Sequence, residues 1–153
     1  NLDKSMQEAG LSQMGPEPFR FRPSQFHQLL QNQRLTKTLL LDQTRIAGLG
    51  NIYVDESLFA AGIHPATICK KITYEQSTRL LAMIKKTLRR AIAGGGTTFS
   101  DFRNAYGDMG KFLNQLRVYD RTGLPCKICQ TPVNKIVIAG RGTHFCPRCQ
   151  PLS

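Results

Sequence analysis

Four of the five cysteines fall in the pattern Cys126-x2-Cys129-x16-Cys146-x2-Cys149, and two close pairs of thiolates are what a tetrahedral zinc ion binds. Each x2 pair bends its backbone so that both sulfurs face one metal. Between the pairs, Val133, Ile136, Val137 and Ile138 form a β-branched run, Ala139-Gly140-Arg141-Gly142 turns, and Thr143-His144-Phe145 returns the chain. A hairpin this short buries too little apolar area to fold alone, whereas structural zinc supplies about 10–16 kcal/mol of apparent binding free energy in finger peptides. One structural zinc ion, closed on all four positions by Cys126, Cys129, Cys146 and Cys149, is therefore expected. Two disulfides are the alternative, disfavoured because nothing in the sequence indicates secretion. His144 is a possible ligand type that a complete cysteine set does not need.

Two further groups of residues suit phosphate. Arg141 is expected at the hairpin tip between Gly140 and Gly142, where a bare backbone approaches a phosphate closely, with Lys127, Lys135 and Arg148 nearby. Its competing reading is an exposed arginine that is merely solvated. The run Gly48-Leu49-Gly50-Asn51 precedes a helix, and a helix N-terminus concentrates unsatisfied N–H donors and partial positive charge. The competing reading there is a glycine turn with Asn51 as an ordinary cap.

These residues need a scaffold. The chain has 153 residues, 41% of them hydrophobic and 20% charged, which fits one ordinary domain or two small ones with a real core. Lys plus Arg exceed Asp plus Glu by 21 to 10, a net charge of +11 that points to a polyanionic partner. The longest apolar runs, Leu39–Leu41 and Ile136–Ala139, fall far short of the ~20 residues that span a bilayer, and no signal peptide opens the chain, so it is read as soluble and intracellular with no membrane partner. Residues 1–22, with Gly15-Pro16-Glu17-Pro18, read as a linker. Residues 23–118 read as a helical domain and 119–153 as the finger. Within the domain, helices are predicted over Ser24–Gln33 behind Pro23, over Asn51–Ala61 ending at Gly62, and from Thr73 to about Ala93 behind a Thr73/Gln76 capping box. Ile52, Leu58 and Phe59 are expected inward on the second helix, and Leu80, Ile84, Leu88 and Ile92 on the third. The segment 94–110 is rich in Gly and polar residues yet carries Phe99, Phe102 and Tyr106; it reads as a lid over a ligand or as packing under a loop. His64 is expected in a turn or packing role and Cys69 as an ordinary, partly buried thiol.

Read together, Leu40-Leu41-Asp42-Gln43, Gly48-Leu49-Gly50-Asn51-Ile52-Tyr53-Val54-Asp55-Glu56, Ala61-Gly62-Ile63-His64-Pro65 and Gly140-Arg141-Gly142-Thr143-His144-Phe145-Cys146-Pro147-Arg148-Cys149 resemble the bacterial formamidopyrimidine-DNA glycosylases, and only their C-terminal half. The resemblance implies a mainly α fold, a helix–two-turns–helix DNA-binding domain followed by a small zinc β-hairpin finger. It implies an enzyme that excises oxidised purines and cuts the strand at abasic sites by β,δ-elimination, with double-stranded damaged DNA as partner, acting as a monomer in the bacterial cytoplasm on the nucleoid. Gly48, Gly50 and Asn51 match the segment that grips phosphates, and Arg141 matches a finger arginine with a phosphate contact and a role in δ-elimination. Arg34 and Lys37 lie where another backbone contact falls. Phe99, Ser100, Asp101 and Phe102 correspond to a lesion-recognition loop that closes over an extruded base. The family's proline nucleophile and adjacent glutamate find no match in a chain that opens Asn1-Leu2, so the expectation is half an enzyme that binds DNA without excising anything. A non-catalytic zinc-ribbon and helix-turn-helix module, or a paralogue for oxidised pyrimidines, are the alternatives.

Overall fold

The computed structural model describes residues 14–93 and 112–153. The fold is mainly α, with one antiparallel hairpin at the C-terminal end. The helices that matter below are α1 at Pro23–Leu29, α2 at Thr36–Leu40, α3 at Asn51–Ala61 and α4 at Tyr74–Ala93. The hairpin pairs β1, Asn134–Ile138, with β2, Arg141–Phe145, in the register Asn134↔Phe145 to Ile138↔Arg141. The lesion-recognition expectation at about 94–110, with Phe99, Ser100, Asp101 and Phe102, lies outside the described residues.

Helix α1 stops four residues before the expected Gln33. Its last carbonyls are taken by side chains: Asn32 Nδ2 donates to Leu29 O at 3.0 Å and Gln31 Nε2 to His27 O at 3.1 Å, a local capping that competes with a further turn. Helix α3 has the expected bounds, and Gly62 closes it at φ 72°, the left-handed conformation that glycine adopts without strain. At the start of α4 the Thr73 hydroxyl accepts from Gln76 N at 3.1 Å while Gln76 Oε1 accepts from Thr73 N at 2.9 Å, the reciprocal cap that the spacing predicted.

Helix α4 packs against α1 and α3 over a core of Phe26, Leu30, Leu39, Leu40, Leu58, Leu80, Leu81 and Ile84. Two expectations for this core fail. Ile92 is 49% exposed and the neighbouring Ala91 is buried instead, in a separate small cluster with Phe112 and Leu116, because a true 3.6-residue period drifts off a strict four-residue count by the fourth repeat. Ile52 is only half-buried, whereas Val54 is fully buried. Cys69 is completely buried rather than partly so, and burial pushes its thiol up to about 11. Residues 15–22, read as linker from composition, are fastened to the body: Gly15 N donates to Gln43 O at 2.8 Å, Ala47 N donates to Pro16 O at 3.0 Å, and Phe21 enters the core.

Candidate nucleic-acid interface and metal centre

The four cysteine Sγ atoms of the finger lie within 4.8 Å of one another. Cys126 and Cys149 are 3.9 Å apart and Cys129 and Cys146 3.4 Å, against the tetrahedral edge of about 3.8 Å that a Zn–S bond of about 2.3 Å implies. Each pair folds back on itself, with Ile128 N donating to Cys126 Sγ and Cys149 N to Cys146 Sγ. Thr131, 3.3 Å from Cys129, holds that thiol down at about 6, while burial pushes Cys146 and Cys149 up. Four soft donors at these separations fit zinc, which resolves the crowding by taking all four as thiolates. The zinc is structural, since the four cysteines fill its coordination sphere.

The hairpin turn is tighter than the sequence suggested. Only Ala139 and Gly140 form it, both at positive φ (53° and 72°), and Arg141 is the first residue of β2. Arg141 nonetheless remains exposed beside the tip. Behind it, a Cβ at Gly142 would meet only the mobile end of the exposed Lys135 side chain, Cε at 2.9 Å, which can move aside. In a hairpin with a two-residue turn, alternate residues of each strand turn their backbone groups away from the partner strand. On β2 these are Gly142 and His144, and both face α3.

At the start of α3 the glycine turn is organised by Gln43. Its Oε1 accepts from Gly48 N at 2.8 Å and its Nε2 donates to Leu49 O at 3.1 Å. Gly48 sits at φ 92° and needs to be glycine, whereas Gly50 is extended and uncrowded. Gly50 is the N-cap and has no capping side chain, so among the described residues no side chain caps the first amides of α3. Asn51, one residue further, is not the cap. Its Nδ2 donates to Gly142 O at 3.0 Å, which brings the helix start against the residue next to Arg141, and its Oδ1 is buried without a partner.

Of the two basic residues expected as backbone contacts, Lys37 is corrected outright. Its side chain is fully buried, with Nζ 2.7 Å from Asp55 Oδ1 and donating to Gly142 O at 3.1 Å. An ammonium wholly enclosed by protein cannot reach a phosphate. Burial lowers its pKa, against the opposing pull of Asp55. Arg34 is partly exposed and paired with Asp42 at 2.8 Å.

Asp42 yields a pH prediction. The Thr44 hydroxyl, and then the Arg34 guanidinium, hold its carboxyl at about 2. Because the folded value lies below the unfolded one, its contribution is present above about pH 4 and is lost as pH falls from there toward 2. Stability of Asp42→Asn measured by urea denaturation is expected to vary less over that window than the parent's. An identical acid limb would remove Asp42 as its source.

Sequence reasoning missed the residues that join the two units. Asp55 Oδ2 accepts from His144 N at 2.9 Å and lies 3.1 Å from His144 Nδ1, which must carry a proton there because a carboxylate only accepts. Glu56 accepts from the backbone amides of Arg117, Val118 and Tyr119 at 2.8, 2.9 and 3.0 Å. Gln150, fully buried, accepts from Cys146 N and donates to Ile63 O. His64 does pack in a turn, its ring 4.5 Å from that of Phe145. The signal available beforehand was two carboxylates at positions 55 and 56 amid apolar residues of a helix, where charge needs a partner.

A helix start without a side-chain cap, bonded to the strand that follows the hairpin turn of a four-cysteine finger in a chain of net charge +11, suits a polyanionic ligand. Residues 14–103 match the formamidopyrimidine-DNA glycosylase H2TH domain and residues 123–152 the zinc finger found in FPG and IleRS. The chain belongs to the formamidopyrimidine-DNA glycosylase family.

It is 54% identical over 144 residues to the formamidopyrimidine-DNA glycosylase of Trichodesmium erythraeum, covering 92% of this chain and 48% of that protein. With the Synechococcus enzyme of the same name it shares 50% over 147 residues, 94% of this chain and 52% of that one. The chain thus spans about half the length of these curated relatives. Among solved structures it resembles the Lactococcus lactis Fpg bound to DNA containing an abasic site, at a TM-score of 0.82 and 39% identity over 97% of this chain and 56% of that one. MutM in complex with DNA containing carbocyclic 8-oxo-G gives a TM-score of 0.82 and 38% identity, over 97% and 55%.

Proposed function

We propose that this chain is the DNA-gripping part of a bifunctional glycosylase and AP lyase that acts on oxidised purines and abasic sites by β,δ-elimination. One observation carries the reading: Asn51 at the open start of α3 bonds to Gly142, so the exposed Arg141 and the helix N-terminus form a single basic patch. Two cationic features drawn from distant parts of the chain suit neighbouring phosphates of one strand. Asn51, with Gly48 and Gly50, grips the backbone there, and Arg141 adds a phosphate contact and serves δ-elimination. Arg34 is a further backbone contact once it exchanges Asp42 for phosphate. Phe99, Ser100, Asp101 and Phe102 close over the extruded base. The protein works as a monomer on the bacterial nucleoid, and excision chemistry resides outside these 153 residues, so this chain alone binds without cutting. The DNA complexes of the Lactococcus protein and of MutM support damaged duplex as the partner. No helix among the described residues is long and apolar enough to cross a membrane.

The test is binding of the zinc-loaded chain to duplex carrying an abasic analogue, followed by fluorescence anisotropy across a salt series. The slope of log K against log salt is expected near −0.9 per phosphate neutralised, and Arg141→Ala should weaken binding and reduce that slope by about 1. No nicking of 8-oxoguanine duplex is expected. Cleavage by the purified chain would sink the division of labour, and tighter binding to RNA than to abasic duplex would favour a zinc-ribbon module.

A further inference from the structure

Asn51 and Arg141 are 90 positions apart in sequence and belong to different structural units, yet a phosphate grip needs them at a fixed separation. What fixes it is not the hairpin ladder. Gly142 and His144 present a carbonyl and an amide on the outer edge of β2, where no strand among the described residues pairs with them. Side chains stand in for the missing strand. Lys37 Nζ and Asn51 Nδ2 both donate to Gly142 O, at 3.1 and 3.0 Å, and Asp55 Oδ2 accepts from His144 N at 2.9 Å. Asp55 is the common member. It lies one helical turn after Asn51 on α3, pairs with Lys37 through Oδ1 at 2.7 Å, and holds both the amide and the ring of His144 through Oδ2.

We infer that Asp55 is a positioning residue for DNA binding: through Lys37 and His144 it sets where the Arg141–Gly142 segment stands relative to Asn51. The arrangement also lets Asn51 change partner. Gly142 O has two donors, so Lys37 continues to satisfy it when the Asn51 amide turns to a phosphate, and the finger keeps its place. Lys37 supports the grip from beneath without touching DNA.

This inference rests on the reading of Asn51 and Arg141 as phosphate contacts, and a double-mutant cycle separates the two. Affinity for abasic-analogue duplex is measured at low salt for zinc-loaded wild type, Asp55→Asn, the double variant Asn51→Ala/Arg141→Ala, and the triple variant. Asp55→Asn is expected to weaken wild-type binding about tenfold, 1.4 kcal/mol at 25 °C, but to cost less than about twofold in the double variant, where nothing remains to be positioned. An equal loss in both backgrounds would show a general structural effect and overturn the inference. A double variant that binds like wild type would instead overturn the phosphate reading. Amide hydrogen exchange without DNA gives the second readout: Asp55→Asn should speed exchange at His144, whose amide donates to Asp55, at least about tenfold while Leu80, Leu81 and Ile84 in the α4 core stay protected. Uniform acceleration along the chain would count against positioning.

Discussion

Replacing Cys146 by serine is expected to abolish stoichiometric zinc binding and to unfold the finger while leaving the helical core standing. Cys146 is fully buried, its amide is held by Gln150 Oε1 at 2.8 Å, and its sulfur accepts from Cys149 N. It is also one of five residues, with Phe59, Val118, Cys126 and Val133, that form the small apolar cluster under the hairpin. Such a cluster offsets little chain entropy on its own, whereas the metal supplies about 10–16 kcal/mol in isolated fingers. Three thiolates and a hydroxyl forfeit most of that. The main core, centred on Leu58, Leu80 and Ile84, belongs to a separate cluster and does not depend on it. Zinc content by atomic emission should therefore fall below one per chain, helical ellipticity should largely persist, and the dispersed amide resonances of residues 134–145 should collapse. Affinity for duplex should drop by about 100-fold or more, because Arg141 and the carbonyl that orients Asn51 both sit on the lost hairpin. A Cys146→Ser protein that retains one zinc and the hairpin resonances would show that the finger folds without four thiolates.

The features legible in the sequence are the ones fixed over short stretches of chain. The Gly62 stop and the Thr73/Gln76 cap depend on residues within a few positions of one another and the cysteine pattern on one hairpin-length stretch, and the structure forms all three. The contacts that assemble the candidate interface run the other way. Lys37 meets Gly142 across 105 positions and Asp55 meets His144 across 89. The apolar neighbours of Asp55 signal that its carboxylate needs a partner, but not which one. The resemblance places Lys37 where the family has a backbone contact, whereas its ammonium is buried between Asp55 and Gly142. Arg141 illustrates an intermediate case: its residue type and its glycine neighbours pointed to the tip, but the two-residue turn shifts it onto the strand and makes its neighbour Gly142 the contact with α3. The glycine turn was likewise half legible, since Gly48 carries the left-handed backbone while the contribution of Gln43 needed coordinates.

Glu56→Ala is expected to be among the most damaging substitutions that touch neither metal nor the proposed DNA face. The carboxylate of Glu56 is nearly inaccessible and accepts from three consecutive amides, Arg117, Val118 and Tyr119, just before the finger begins. It acts as a fixed anion that turns the chain from the helical domain into the finger and brings Val118 against Phe59. Hydrogen bonds to a charged acceptor contribute about 1.5–3 kcal/mol each when removed singly, and stranding several buried donors together adds a desolvation cost. Water entering the vacated space recovers part of this, which leaves a loss of about 3–5 kcal/mol. Against a total stability of about 5–15 kcal/mol, and at about 2–4 °C per kcal/mol for a domain of this size, Tm should fall by roughly 10 °C or more. Glu56→Gln retains one carbonyl oxygen able to accept two of the three bonds and should lose about half as much. Differential scanning calorimetry with zinc in excess checks both values. Because the metal still holds the hairpin, the zinc content of Glu56→Ala should stay near one per chain, so the two substitutions separate what the metal stabilises from what the carboxylate does. A fall of less than about 2 °C in Glu56→Ala would show that the three amides find water as readily as they find Glu56.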